Sequence, residues 1–323
     1  MISRWAFLVG SVSVVVVPLA AGAQAPTRSV RVAVVTGLTP PRYVQAFRDG
    51  LRQHGWIEGQ NLVFEVRSAD GEYDRVAALA ADVMERKPDV VLLTSTSIRV
   101  AKPIVGSTAV VFIIADDPVG AGLVTSFARP GGHATGVTSL NVELDAKRLE
   151  ILKQAMPGVT RVGVLSAPQD TRHRERLATI ERTAKTLALR LHVMTVSVPA
   201  DVPRAFEAAR RPPVSAVMLL GAPALLRYQA QIVELATTAR LPLIAAWSEF
   251  AEAGGLMSYG TNVPAMFRHA AVLTDRILRG ASPADVPVER VTTFELVINL
   301  KTAKALGLTI PPSLLLRADQ VIE

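Results

Sequence analysis

The stretch VRVAVVTGLTPPRYVQAFRDGLRQHGW, residues 30–56, carries two hydrophobic periods in succession. Val30–Thr36 is a β-branched run of strand length, and the residues after Pro41 place Tyr43, Phe47 and Leu51 four apart, on one face of a helix. Gly55 follows where a helix C-terminal glycine belongs. The same alternation continues through NLVFEVRS (61–68), DRVAALAADVMERK (74–87), DVVLLT (89–94), a short helix from about Ser97 interrupted by Pro103, and AVVFIIA (109–115). Uninterrupted Val/Ile/Leu strands separated by helices predict a parallel sheet covered on both faces.

The rhythm then restarts. AKRLEILKQAMP (146–157) is helical, RVGVLS (161–166) opens a new strand series, and LHVMTVS (191–197), SAVMLLG (215–221) and PLIAA (242–246) extend it, with helical patterns between them. Two βαβαβα blocks result, about Val30–Ser139 and Leu140–Ala253. The tail breaks the pattern. GGLMSYG (254–260) reads as a short strand, NVPAMFRHAAVLTDRILRG (262–280) as a helix, SPADVPVER (282–290) as an extended run, and TFELVINLKTAKALGLTIPPSLL (293–315) as a last strand and helix. Segments added after two complete α/β units predict a chain that crosses back between lobes, creating a hinge and a cleft.

Composition narrows the class. The chain has 323 residues, half of them hydrophobic and a fifth charged, which suits two globular cores rather than disorder. Residues 1–25, MISRWAFLVGSVSVVVVPLAAGAQA, run from Arg4 through an apolar stretch to Pro18 and small residues, the layout of a signal peptide cleaved after Ala23 or Ala25. The expectation is an exported, periplasmic protein. There are no cysteines, which excludes thiol redox chemistry and Cys-based zinc sites. A formal charge of +7 raises nucleic acid as a partner. The densest basic segment, Thr171–Arg190, nevertheless interleaves Glu175 and Glu181 and keeps Leu177, Ile180, Ala184 and Leu187 at helical spacing. It reads as a solvated helix over a core, with no nucleic-acid partner expected.

In doubly wound α/β lobes ligands sit beyond the carboxyl ends of the strands. Those ends are Thr36, the run Thr94-Ser95-Thr96-Ser97, Asp116 and Asp117, Ala167, Gly221, and Trp247 to Glu249. The TSTS turn joins strand to helix, so hydroxyls and free amides meet the positive end of a helix dipole and can hold a carboxylate, or simply cap the helix. Of Asp116 and Asp117, one is expected to accept a ligand ammonium or hydroxyl and the other to cap the Pro118 turn. A catalytic pair would want a histidine, nucleophile or metal beside it. The five histidines are scattered, and no HExxH, P-loop, GxGxxG or GxSxG motif occurs. Trp247 and Tyr259 either sandwich an apolar or aromatic ligand group or pack within a lobe; Glu249 either meets ligand or is a surface charge that docks a transporter. No cofactor and no metal site is expected.

Three stretches, FRDGLRQHGWIEGQNLVFEVRSADGEYDRVAALAADVMERKPDVV (47–91), ARPGGHATGVTSLNVELDAKRLEILKQAMPGVTRVGVL (128–165) and EFAEAGG onward to the last residue (249–323), resemble the bacterial family of ABC-transporter substrate-binding proteins that includes tryptophan- and phenylalanine-binding members. The resemblance implies the type I periplasmic-binding-protein fold: two Rossmann-like lobes joined by a multi-strand hinge. It puts crossovers near Ser139, Gly254 and Pro283, so that 26–139 with 254–283 form the first lobe and 140–253 with 284–323 the second. It further implies a small-molecule ligand, such as an amino acid or related carboxylate, and an ABC permease with its ATPase as partners. Membrane contact then comes only through the permease. The same fold also serves sensor receptors for membrane kinases, and an enzyme built on Asp116/Asp117 is the other alternative. This chain has Ser3-Arg4 where many relatives carry an Arg-Arg pair, and SAPQDTRHRER (166–176) where relatives often have an Asn/Pro-rich turn.

Overall fold

The computed structural model describes residues 29–323 apart from 116, 140, 141, 169, 171 and 212, and only the backbone of 96 and 142. The proposed signal peptide lies outside the described residues. The first part of the chain runs β1 (Val30–Thr36), α1 (Pro41–Gln53), β2 (Leu62–Ser68), α2 (Val76–Glu85), β3 (Val90–Thr94), α3 (Ser95–Val105), β4 (Ala109–Ile114) and β5 (Ala134–Thr138). The second runs α4 (Val142–Ala155), β6 (Arg161–Ser166), α5 (His173–Thr186), β7 (Arg190–Thr195), α6 (Asp201–Ala208), β8 (Ala216–Leu219), α7 (Gln229–Thr238), β9 (Leu243–Ala245), α8 (Ser248–Glu252) and β10 (Met257–Thr261). The tail supplies α9 (Val263–Leu278), β11 (Glu289–Arg290), β12 (Phe294–Asn299), α10 (Leu300–Leu306), α11 (Pro312–Leu315) and β13 (Gln320–Ile322).

Two sheets result, as the alternating pattern predicts. The first has the order β11-β5-β4-β3-β1-β2, all parallel; the second has the order β13-β12-β10-β9-β8-β6-β7, parallel except where β10 meets β12. Both faces of the first sheet are buried, and the strand alternation is visible in its two cores. Val32, Val34, Val90, Leu92, Val111 and Ile113 pack against α1 and α9, while Ala33, Val35, Val91, Leu93, Val110 and Phe112 pack against α2 and α3. The second sheet is likewise sandwiched, with Val162, Val164 and Met218 on one side and Leu165, Val217 and Leu219 on the other.

The expected crossovers shift. Gly254 does not begin a hinge; with φ of 119° it closes the turn after α8, where the Gly255 N–H donates to the Phe250 carbonyl at 2.7 Å. β10 therefore stays in the second sheet, and the chain passes to the first lobe only after Thr261, into α9. Nor does it return near Pro283, because β11 pairs with β5 and holds the chain in the first sheet as far as Arg290. The glycine-rich run 130–136, which reads as a loop, ends inside strand β5. Gly136 hides the strand from a β-branched pattern, yet a Cβ there would lie 2.2 Å from the Phe112 carbonyl oxygen, so only glycine lets β5 and β4 approach.

Gly260 is under the same constraint beside the hinge: its Cβ would lie 1.9 Å from the Ala246 carbonyl oxygen. Backbone cannot yield as a side-chain tip can. Gly260→Ala is expected to destabilise the protein by about 3 kcal/mol, read as a lowered denaturation midpoint. Gly158, with nothing within 4 Å of its notional Cβ, is the matched position where alanine is tolerated. Equal midpoints for the two variants would refute this account of the close approach.

Candidate functional site

The carboxyl ends of β1, β3 and β4 face the second lobe across a narrow cavity. Thr39, Tyr43, Thr94 and Ser95 line it from the first lobe, Pro223, Leu226 and Trp247 from the second, and Ser139 and Thr261 from the hinge. Three hydroxyls form a chain at the first-lobe wall: Thr94 Oγ1 donates to Thr36 Oγ1 at 2.8 Å, and Thr36 and Thr39 Oγ1 are 2.5 Å apart. Thr36 is buried behind this wall and fixes the other two rather than facing the cavity.

The TSTS turn divides its labour. Thr94 is the N-cap of α3 and Ser97 its capping-box partner: the Ser97 Oγ accepts from the Thr94 N–H at 3.1 Å and lies 2.9 Å from the Val35 carbonyl, fully buried. Ser95, at the first turn of α3, borders the cavity instead. The Thr96 side chain lies outside the described residues, as does Asp116. Asp117 takes the capping role, its Oδ1 accepting from the Val119 N–H at 3.0 Å. It borders a neighbouring cavity, with Ser95, Arg99 and Arg172, and not the central one.

Second-lobe expectations fare differently. Trp247 lines the cavity, its ring 6.3 Å from that of Phe250. Tyr259 does not: it packs beside Phe294 and its carbonyl accepts from Arg148 Nη1 at 2.9 Å, so no Trp247–Tyr259 sandwich forms. Tyr43, Tyr73, Met266 and Phe267 supply the remaining apolar wall. They come from helix starts and a loop rather than strand tips, and α9 reaches the site only because the tail crosses back. Tyr43 was legible as a helix-face residue; its place in the first turn after β1 is the signal that also marks it as a cavity residue. Burial pushes its phenol pKa well above the ordinary value, and the nearby Glu249 carboxylate pushes it further, so it remains a hydrogen-bond donor.

Glu249 is neither a free surface charge nor a lining residue of the central cavity. Its Oε1 lies 2.8 Å from Arg42 Nη2, and Arg42 also reaches Glu252 at 2.6 Å and Ser248 Oγ at 2.9 Å. Arg42 opens α1 in the first lobe and the three partners lie on α8 in the second, so one guanidinium ties the lobes together.

Ala167 and Gly221 line no part of the central cavity. Ala167 is buried in the core formed by β6, β8 and α7, and the Gly221 N–H donates to Asp145 Oδ1 at 3.0 Å. Behind them lies a buried charge cluster that sequence reasoning missed. Asp145 binds Arg148 through one oxygen and Arg176 through the other, the latter at 2.7 Å, and Arg176 Nε reaches Asp170 at 2.9 Å. Arg176 is thus 1 % exposed, a buried charge within the segment read as a solvated helix over a core. The one sequence signal was the Asp145-x-x-Arg148 spacing, which puts both on one helix face.

Two lobes with parallel sheets, three crossings and an interlobe cavity at the strand tips define a two-lobed ligand-binding protein of the periplasmic-binding type. The family of ABC transporter substrate binding proteins matches residues 31–322, and the chain belongs to it. Among its relatives is a tyrosine-binding protein of Clostridioides difficile, 24% identical over 268 residues, covering 82% of this chain and 76% of that one. A conserved domain protein from Vibrio cholerae is similar in structure at a TM-score of 0.81 and 27% identity, over 91% of this chain and 100% of the other. An ABC domain from Streptococcus pneumonia, solved in complex with L-Trp, gives a TM-score of 0.82 at 23% identity with the same coverage.

Proposed function

We propose that this protein is the extracytoplasmic receptor of an ABC import system and that it captures an L-amino acid with an aromatic side chain. The observation that carries the reading is the composition of the interlobe cavity. Hydroxyls and the amino end of α3 form one wall, suited to a carboxylate, and Tyr43, Phe267 and Trp247 form the rest, suited to an aromatic ring. The names of two relatives, one tyrosine-binding and one solved with L-Trp, support the same ligand class. Closure around the hinge then presents the loaded form to a permease driven by its ATPase, in the periplasm after removal of residues 1–25. The ligand shifts the open–closed equilibrium only by its preference for the closed form.

The test is a thermal-shift screen of residues 26–323 against L-amino acids, other carboxylates, purines and sugars. An aromatic L-amino acid at a hundred times its Kd stabilises the folded state by about 2.7 kcal/mol, and the melting temperature rises accordingly. A shift produced only by sugars or purines overturns the assignment.

A further inference from the structure

The central cavity does not end at Ser95. Tyr73, Ser95, Ala115 and Pro223 also line a second, wider and solvent-open chamber between the lobes. Its charged lining is Arg99, Arg176, Arg227 and Asp170. Arg176 and Asp170 are bound to each other, and Arg176 also to Asp145. Arg99 and Arg227 enter no ion pair among the described residues, and the Arg227 guanidinium lies 5.9 Å from the Tyr228 ring centroid. Arg99 stands one helical turn beyond Ser95 on α3, while Arg227 lies on the second-lobe turn that begins at Pro223. Closure therefore brings two cations from opposite lobes to one chamber. A bound anion relieves their repulsion and favours the closed form.

This inference rests on the inner cavity seating an aromatic side chain. We infer that the outer chamber is an anion-accepting subsite, and that the ligand is an aromatic amino acid extended at its carboxyl side by a group bearing negative charge, as in an acidic dipeptide. The aromatic ring occupies the wall of Tyr43 and Trp247, the amide carbonyl takes the carboxylate's place at Ser95, and the side-chain carboxylate of the added acidic residue lies between Arg99 and Arg227. Arginine suits this task because its planar fork matches a carboxylate in two parallel hydrogen bonds.

The experiment is calorimetric titration of residues 26–323 with L-phenylalanine, L-phenylalanyl-L-glutamate and L-phenylalanyl-L-glutamine, on the wild type and on the Arg99→Gln/Arg227→Gln double variant. The two dipeptides differ by one charge at constant shape. The wild type is expected to prefer the glutamate dipeptide by about tenfold, and the double variant by less than twofold. A wild-type ratio near one, or a ratio the double variant leaves intact, overturns the subsite. Binding of the glutamate dipeptide without binding of L-phenylalanine overturns the free amino acid as ligand while upholding the subsite. No binding of all three overturns both.

Discussion

Asp145→Ala is expected to remove about 3–5 kcal/mol of folding stability, the cost of stranding buried charge. The carboxylate is fully buried and serves three donors at once: Arg148 Nη2, Arg176 Nη1 and the Gly221 N–H. Arg148 is fully buried as well, and among the described residues it keeps, without Asp145, the Tyr259 carbonyl at 2.9 Å. Arg176 retains Asp170 and suffers less. The measurement is chemical denaturation of the variant, followed by replacement of Asp145, Arg148 and Arg176 together with leucine or methionine. The triple variant recovers part of the loss, because it removes both stranded guanidiniums along with Asp145, while Asp170 loses Arg176 and keeps the Arg172 N–H at 3.1 Å. A single-variant loss below about 1 kcal/mol, the level of an exposed pair, would refute the view that these charges depend on each other.

Trp247→Ala is expected to weaken binding of an aromatic amino acid by at least thirtyfold, about 2 kcal/mol or more, as truncation of a buried aromatic anchor does. Trp247 is the aromatic wall that the second lobe brings to the cavity, opposite Tyr43 and Phe267 of the first. Its removal leaves the ligand's ring covered on one side, so the loss falls on the dissociation rate. Tyr259→Phe is the contrast: that ring packs beside Phe294 away from the cavity, and titration should give an unchanged affinity. Loss of binding at Tyr259 with retention at Trp247 would reverse the assignment of the two aromatics.

The fold was readable wherever burial on both faces leaves a continuous apolar strand. β1, β3, β4, β6 and β8 announce themselves in this way, and the helices between them carry a matching period. β5 was not readable, since Gly136 answers to the Phe112 backbone, a partner distant in sequence. The crossovers were misplaced for a similar reason. Gly254 looks the same in sequence whether it ends a helix or opens a hinge, and only the pairing of β10 with β9 decides. At the cavity, the strand-tip rule pointed to Ser95 and Trp247, which line it, and to Thr36, which lies one layer behind the wall. At Gly221 it failed because that tip is held by Asp145, 76 residues away, which also binds Arg176 across 31 residues; at Ala167 it failed because that residue is buried in the core. It also missed Met266 and Phe267, which a returning helix delivers.

That returning helix has a consequence for how the protein is made. The apolar face of α1 is covered by α9, and Trp56 Nε1 finds its partner, Asp275 Oδ1 at 2.8 Å, across a separation of 219 residues. Emerging from the ribosome, the amino-terminal half therefore carries Tyr43, Phe47, Leu51 and Trp56 without the cover of α9 until most of the polypeptide has been synthesised. A contact closed over so long a stretch of chain forms late in folding, because its loop entropy is lost before the contact stabilises anything. It also keeps the nascent chain unfinished, and so available to chaperones, for nearly the whole of translation.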